Sequence, residues 1–384
     1  MQPRGAPHAP AEAGPPQQEG QDGAGPRHPP STPVREPLDR EQTRPGAFSV
    51  RTASHVELVY ETPCRIDGTA SPDVVDGTVV WDPAKSMWLT AMLLFGSVGA
   101  ASTFTWAAFL LFIASTALVL LLGHSVGMHR RLIHDSFQCP LWLERGLVYC
   151  GVLTGLSGPL ALLLTHDLRD HAQRQPRCHD YFGHRRSFLV DAWWQLHCRL
   201  DLRRPPKVEI EARIADDPLY RFLERTWMLQ QLPWAMLFFA LGGWGFVFWG
   251  VCARVAICNI GHWLVGHFAH RGGGMIYRVR GASVQGYNVR FCALLTMGES
   301  WHNNHHAFPG SARLGVAPGQ WDPGWWLLKA LEATGLTWQL RTPADLPPRC
   351  ALEVVDRSEG ASPHSPVERA APEFGRAAPA PNRP

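Results

Sequence analysis

Between residues 87 and 123 the chain carries no charged side chain. A helix crosses the ~30 Å hydrocarbon core of a bilayer with about 20 apolar residues, so a run this long fits two crossings. Gly96, Gly99 and residues 102–105 supply a turn between them, which sets expected spans near 87–101 and 105–123. A second apolar region, 227–264, is interrupted at Gly242 and Gly243 and gives two more spans, near 226–241 and 244–262. Arg254 is the one charge inside it. An arginine there either snorkels to the headgroups or faces an acidic group in a polar cavity. Residues 141–164 are also apolar, but Glu144, Arg145 and the Gly and Pro residues argue against a simple crossing. They read as an interfacial or re-entrant helix pair.

The expected fold is an all-α membrane protein: four transmembrane helices in two hairpins, under a cytosolic helical cap. Residues 1–55 and 346–384 are rich in Pro, Gly and polar residues and bury too little apolar surface to offset ordering, so both are expected to be disordered tails. Residues 56–85 read as an extended cytosolic lead-in without an assigned role, and 86–345 as the membrane domain. No secretory signal pattern is found in either tail. Both hairpin turns lack Lys and Arg, whereas 129–204 holds many arginines. The positive-inside rule then puts that stretch and both tails in the cytoplasm. The net charge of +3 is too small to argue for a nucleic-acid partner. The nine cysteines form no CxxC pair, which disfavours a disulfide framework or zinc knuckle.

Histidine is the residue type out of proportion: of 18, only His8, His28, His55 and His364 lie outside 124–306. His129 and His134 form an HxxxxH pair where the second span ends, with His124 one turn earlier. His302, His305 and His306 form HxxHH, whose i, i+3, i+4 positions share a helical face. Asn259, His262, His267 and His270 follow the last span, and His166, His171, His179, His184 and His197 lie between. His179, His184, His197 and His270 read as ordinary hydrogen-bonded histidines. Imidazole-rich sites suit Zn, Cu, Fe or Ni. The number of ligands exceeds the four of one zinc site, so more than one redox-capable metal, and with it oxygen activation, is expected.

These motifs resemble those of the membrane fatty acid desaturase family, over roughly residues 86–345. HRRLIH (129–134) looks like its first histidine box and HNNHH (302–306) like its last. Asn259 and His262 approximate the family's Asn and His near the end of the fourth span. The family's middle box reads HxxHH, whereas the aligned stretch here is His171-Ala-Gln-Arg-Gln175. His166 is the first choice to replace a missing imidazole, and His267 another. The resemblance implies metal ligands His129, His134, His166, His171, His262, His267, His302, His305, His306 and Asn259. Asp167, Asp170, Glu299 and Asn303 would then orient them by hydrogen bonds. It also implies two iron ions, dioxygen as co-substrate, a long-chain fatty acyl substrate and the introduction of a double bond. His270-Arg-Gly-Gly-Gly lacks the His-Pro-Gly-Gly of a cytochrome b5 domain, so electrons are expected from a separate ferredoxin or cytochrome b5-like donor. A fatty acyl hydroxylase would share these ligands. A metal transporter or sensor would need charge within the spans, and a membrane protease of the HExxH type lacks its motif.

Overall fold

The computed structural model describes residues 48–50, 58–60, 65–66 and 73–355. The N-terminal tail expected over 1–55 therefore lies outside the described residues except for 48–50. The same holds for residues 356–384 of the expected C-terminal tail. The described residues are mostly helical, with three two-stranded antiparallel ribbons among them: Phe48–Val50 with Leu58–Tyr60, Asp73–Trp81 with Cys198–Arg204, and Tyr277–Val279 with Leu352–Val354. Two corrections follow. The fold is not purely α, and residues 346–355, grouped above with the tail, include a paired strand.

Among the described residues, two helices, Trp106–Ile133 and Gln231–Ala269, are long and apolar enough to cross a membrane. Residues 83–102 form another continuous helical run. It starts at Asp82, whose side chain accepts from the Lys85 N–H (3.1 Å), with Pro83 at the first helical position. It stops at Thr103, and Thr105 caps the next helix by accepting from the Ala108 N–H. Gln231–Ala269 is broken where the sequence places its glycine pair. Gly243 has φ 63° and ψ −158°, a conformation open to glycine and costly for other residues. Beyond it the chain folds back, so that Phe238 packs on Val247 and Val251. Trp106, Leu110, Met236, Leu241 and Trp244 project from these helices as exposed apolar side chains. Such a surface is costly in water and suits lipid. Arg254 follows neither expectation: it is 1% exposed, and its Nη2 donates to Gln231 Oε1, an amide rather than an acid.

Residues 141–164 do form a helix pair, Leu141–Val152 and the start of Pro159–Arg174. The first of these meets Trp106–Ile133 backbone to backbone. A Cβ on Gly123 would stand 2.3 Å from the Cys150 carbonyl carbon, and one on Gly127 2.5 Å from the Leu147 oxygen. Glycines four apart permit this approach, as in small-xxx-small helix pairs. Gly127→Val is therefore expected to force the helices apart and cost about 1–3 kcal/mol, read as a lower unfolding temperature in detergent.

The lead-in has a structural role that composition did not reveal. Arg65 is 3% exposed. It donates to the carbonyls of Leu132 (3.3 Å) and Ile133 (2.9 Å) and pairs with Asp167 (2.9 Å) and Glu211 (2.8 Å). It thus satisfies the free carbonyls at the end of the helix that carries the first histidine box.

Candidate metal centre

The HxxxxH spacing finds its geometry in a π-helix. Residues Val119–Ile133 wind in this wider form, and the His134 N–H donates to the His129 carbonyl at 3.1 Å. An i→i+5 repeat stacks residues five apart, which an α-helix does not. Arg130 and Arg131, between the two histidines, turn into buried ion pairs. Arg130 meets Asp322 at 2.7 Å, and Arg131 meets Glu144 at 2.6 Å.

The third box is equally fixed. In the helix His302–Ala307, Asn303 Oδ1 accepts from the N–H groups of Ile276 (2.8 Å) and Tyr277 (2.9 Å), and its Nδ2 donates to the carbonyls of Tyr277 and Gly286. Asn303 therefore holds the backbone around this helix, its side chain bonding to the main chain of Ile276, Tyr277 and Gly286. Asn304 donates to the Leu314 carbonyl at 2.7 Å.

These elements bring the imidazoles into two clusters. His129, His134, His166 and His305 each offer a nitrogen within 4.8 Å of the others, and so do His270, His302 and His306. The third box is thus divided: His305 faces the first cluster, while His302 and His306 face the second. In the second cluster the three Nε2 atoms form a triangle of 2.9, 3.0 and 3.3 Å. Metal–nitrogen bonds of about 2.1 Å meeting near a right angle separate the nitrogens by about 3 Å. His270 Nδ1 donates to the Gly266 carbonyl at 2.7 Å, which leaves its Nε2 as the lone-pair nitrogen, met by His302, His306 and the Gln173 amide nitrogen at 3.1 Å. In the first cluster, His134 is 3% exposed and neither ring nitrogen has a hydrogen-bond partner among the described residues. Such a group is costly unless a cation accepts its lone pair. The donor sets therefore fit two metal ions.

The charge states agree. Burial first, and the neighbouring imidazoles second, hold His134, His302 and His305 well below the ordinary histidine range. Burial likewise lowers His270, and lowers His306 to about 4. These rings are neutral at pH 7 and offer lone pairs. Two carboxylates stay ionised beside them. Against the opposing effect of burial, His129 and Arg130 hold Glu299 at about 2, and His166 and Arg174 hold Asp170 at about 2. Glu299 Oε2 lies 2.6 Å from His129 Nδ1, and its Oε1 accepts from Ser125 at 2.6 Å. This fixes the His129 ring with Nε2 free for a metal. Glu299→Gln is expected to weaken metal binding about 10–100-fold with the fold retained, measured by chelator competition.

Four of the residues named from the sequence stand elsewhere. His171 Nε2 lies 3.4 Å from the Gln175 amide. Asn259 donates to the Gly155 and Val255 carbonyls. His262 stacks edge-on with His124 at 5.1 Å. His267 Nδ1 lies 2.7 Å from Asp191 Oδ2, in a third group of possible ligand atoms with His184. Asp167 serves chiefly as the partner of Arg65 and approaches His166 only to 3.7 Å. His270, read above as an ordinary histidine, is brought into the second cluster. Its signal was positional: His134 and His270 cap the C-terminal ends of the two long apolar helices.

Paired imidazole clusters at the ends of apolar helices are compatible with metal binding in a membrane-associated protein. The fatty acid desaturase family model matches residues 104–330. The chain is 35% identical over 249 residues to the sn-1 stearoyl-lipid 9-desaturase of Anabaena variabilis, covering 62% of this chain and 86% of that one. It is 32% identical over 248 residues to an acyl-CoA C20 Delta5-desaturase of Anemone leveillei, covering 64% and 78%. With the palmitoyl-monogalactosyldiacylglycerol delta-7 desaturase of Arabidopsis thaliana it shares 31% over 231 residues, covering 59% and 60%. The chain belongs to the fatty acid desaturase family and is an oxidoreductase acting on fatty acyl chains.

Proposed function

We propose that this protein introduces a double bond into a long-chain fatty acyl group, carried on CoA or on a lipid, in a dioxygen-dependent reaction at two iron ions. The division of HNNHH between two imidazole clusters supports this reading most directly, because one short helix then serves two ions. When bound, the irons supply the redox chemistry with dioxygen and with electrons from an external ferredoxin or cytochrome b5-like donor. The chain's own residues supply position. His129, His134, His166 and His305 would hold one ion, and His270, His302 and His306 the other. Glu299 orients His129, and Arg65, Arg130 and Arg131 fix the helix that carries the first box. A fixed frame matters because the reacting methylene is unactivated, and its placement beside the ions selects the carbon.

The four-span arrangement also belongs to this reading. Residues 83–102, Trp106–Ile133 and the two halves of Gln231–Ala269 would be the spans, with the tails and the ions on the cytoplasmic face. The breaks at 103–105 and at Gly242–Gly243 support it, as do the uncharged hairpin turns. Expression in a host of simple lipid composition, followed by mass spectrometry of its fatty acids, tests the activity. The expected product has lost two hydrogens; a product that has gained one oxygen would instead indicate the hydroxylase. Unchanged lipids in cells that load the protein with iron and supply reductant would overturn both.

A further inference from the structure

The two clusters are unequal. The first has four imidazoles and the second three. The middle box explains the difference. His166 occupies its first position, and on the same face the i+3 and i+4 positions are Arg169 and Asp170. A guanidinium cannot ligate a metal. Asp170 Oδ2 is engaged by Arg174 at 3.2 Å.

A further histidine lies against the second cluster. His184 is 1% exposed, and its ring stacks parallel to that of His270, with centroids 5.3 Å apart. Its Nδ1 lies 3.0 Å from Asp191 Oδ2, while its Nε2 is buried without a hydrogen-bond partner among the described residues. Asp191 is itself held: the same oxygen accepts from Trp263 Nε1 (2.8 Å) and His267 Nδ1 (2.7 Å). A carboxylate accepting the Nδ1–H fixes the tautomer and leaves the Nε2 lone pair outward, the usual arrangement behind a metal-binding histidine. Two backbone features put the ring there. His184 adopts a left-handed conformation (φ 50°), which is uncommon outside glycine and is kept where the surroundings require it. Gly266 leaves room, since a Cβ at that position would stand 3.0 Å from both Cε1 and Nε2 of His184.

We propose that His184 serves the second metal centre as an additional donor, oriented by Asp191, and that it reaches the ion through a bridging water. His184 lies outside the group of nitrogens within 4.8 Å of one another. A bridging water spans that gap, because a metal–oxygen bond of about 2.1 Å plus a hydrogen bond of about 2.8 Å covers nearly 5 Å. An independent third ion among His184, Asp191 and His267 fits less well. Asp191 Oδ2 already faces three nitrogens, and Trp263 can act only as a donor. The second cluster has the opposite character: its three Nε2 atoms converge within 3.3 Å of one another, and the Gln173 side-chain amide beside them donates. A cleft of about 390 Å³ is bordered by His184 and His270.

The inference rests on the two-iron reading, and the experiment separates the two. The full-length protein is loaded anaerobically with Fe(II) in detergent, and iron per chain is measured through a graded chelator challenge. Wild type is expected to hold two irons. In His184→Ala the more weakly held iron should be lost at about 10–100-fold lower chelator concentration, and free imidazole should restore it. Gly266→Ala should reproduce the loss by displacing the ring, although alanine favours the helix, and imidazole should not rescue it. Cobalt(II) substitution gives a second readout, a changed visible spectrum in both variants. Wild type that fails to hold two irons would overturn the two-iron reading. Two irons held equally tightly in wild type and both variants, or three irons in wild type falling to two in His184→Ala, would overturn the role given to His184.

Discussion

Replacing His305 with alanine is expected to abolish desaturated product and to reduce iron from two per chain to about one. His305 is 1% exposed, and its ring lies 4.6 Å from that of His129 and 4.8 Å from that of His134. It is the one member of the third box in the first cluster. The helix that carries it is fixed by Asn303 and Asn304 rather than by the imidazole, so the variant should still fold. The loss should exceed the ~100-fold that removal of a supporting hydrogen bond costs, because an ion bound by four imidazoles keeps only three. His171→Gln and Asn259→Ala serve as controls, since both side chains stand outside the clusters; these variants should keep both irons and most of the product. Iron analysis and fatty acid profiling of the same preparations read the result. Full iron content and product in His305→Ala would refute the assignment of the first cluster.

The controls separate what the sequence could reveal from what it could not. Uncharged length and paired glycines are local properties, so the helix breaks at 103–105 and Gly242–Gly243 were readable from residue order alone. The spacing inside a box is local too. HxxHH needs only a helical turn, whereas the π-turn that serves HxxxxH is a finding of the structure. The partition of imidazoles between centres is not local. His166 joins the first cluster because Pro159–Arg174 runs past the end of Trp106–Ile133, and that approach depends on Gly123 and Gly127 packing against a different helix. Counting the middle box from His171 shifted its register by five residues. His166 and His171 both stand among the ligands expected from the sequence, with His166 the first choice to replace a missing imidazole, and the neighbouring helix places His166 in the cluster. Arg65 was hidden for the same reason: its four partners come from three separate stretches of chain. The arginines of HRRLIH show how a charge pattern can mislead. Counted above with the cytoplasmic loops, both are buried and paired. Their contribution is to the frame of the site.

That frame predicts the largest stability change. Glu144 is 2% exposed and sits in a helix whose sequence looks merely apolar. Its Oε2 pairs with Arg131 at 2.6 Å, and its Oε1 accepts from Arg213 at 2.8 Å and from the Tyr220 hydroxyl at 2.7 Å. Glu144→Ala leaves a buried guanidinium between His129 and His134 with Asp135, the Phe137 carbonyl and the Cys139 thiol as its remaining partners. Removing one member of such a buried pair costs about 3–5 kcal/mol, so unfolding of the metal-free protein in detergent should begin at markedly lower temperature. Tyr220→Phe removes one hydrogen bond from the same carboxylate and should cost about 1 kcal/mol. Glu144→Gln keeps the shape and loses the charge, and should fall between them. If the carboxylate acts through Arg131, iron retention should follow the same order as stability, because the chain between His129 and His134 is what it holds. Stability lost in that order with iron retention unchanged would separate the ion pair from the metal site, and Glu144 would then serve the helix contact alone.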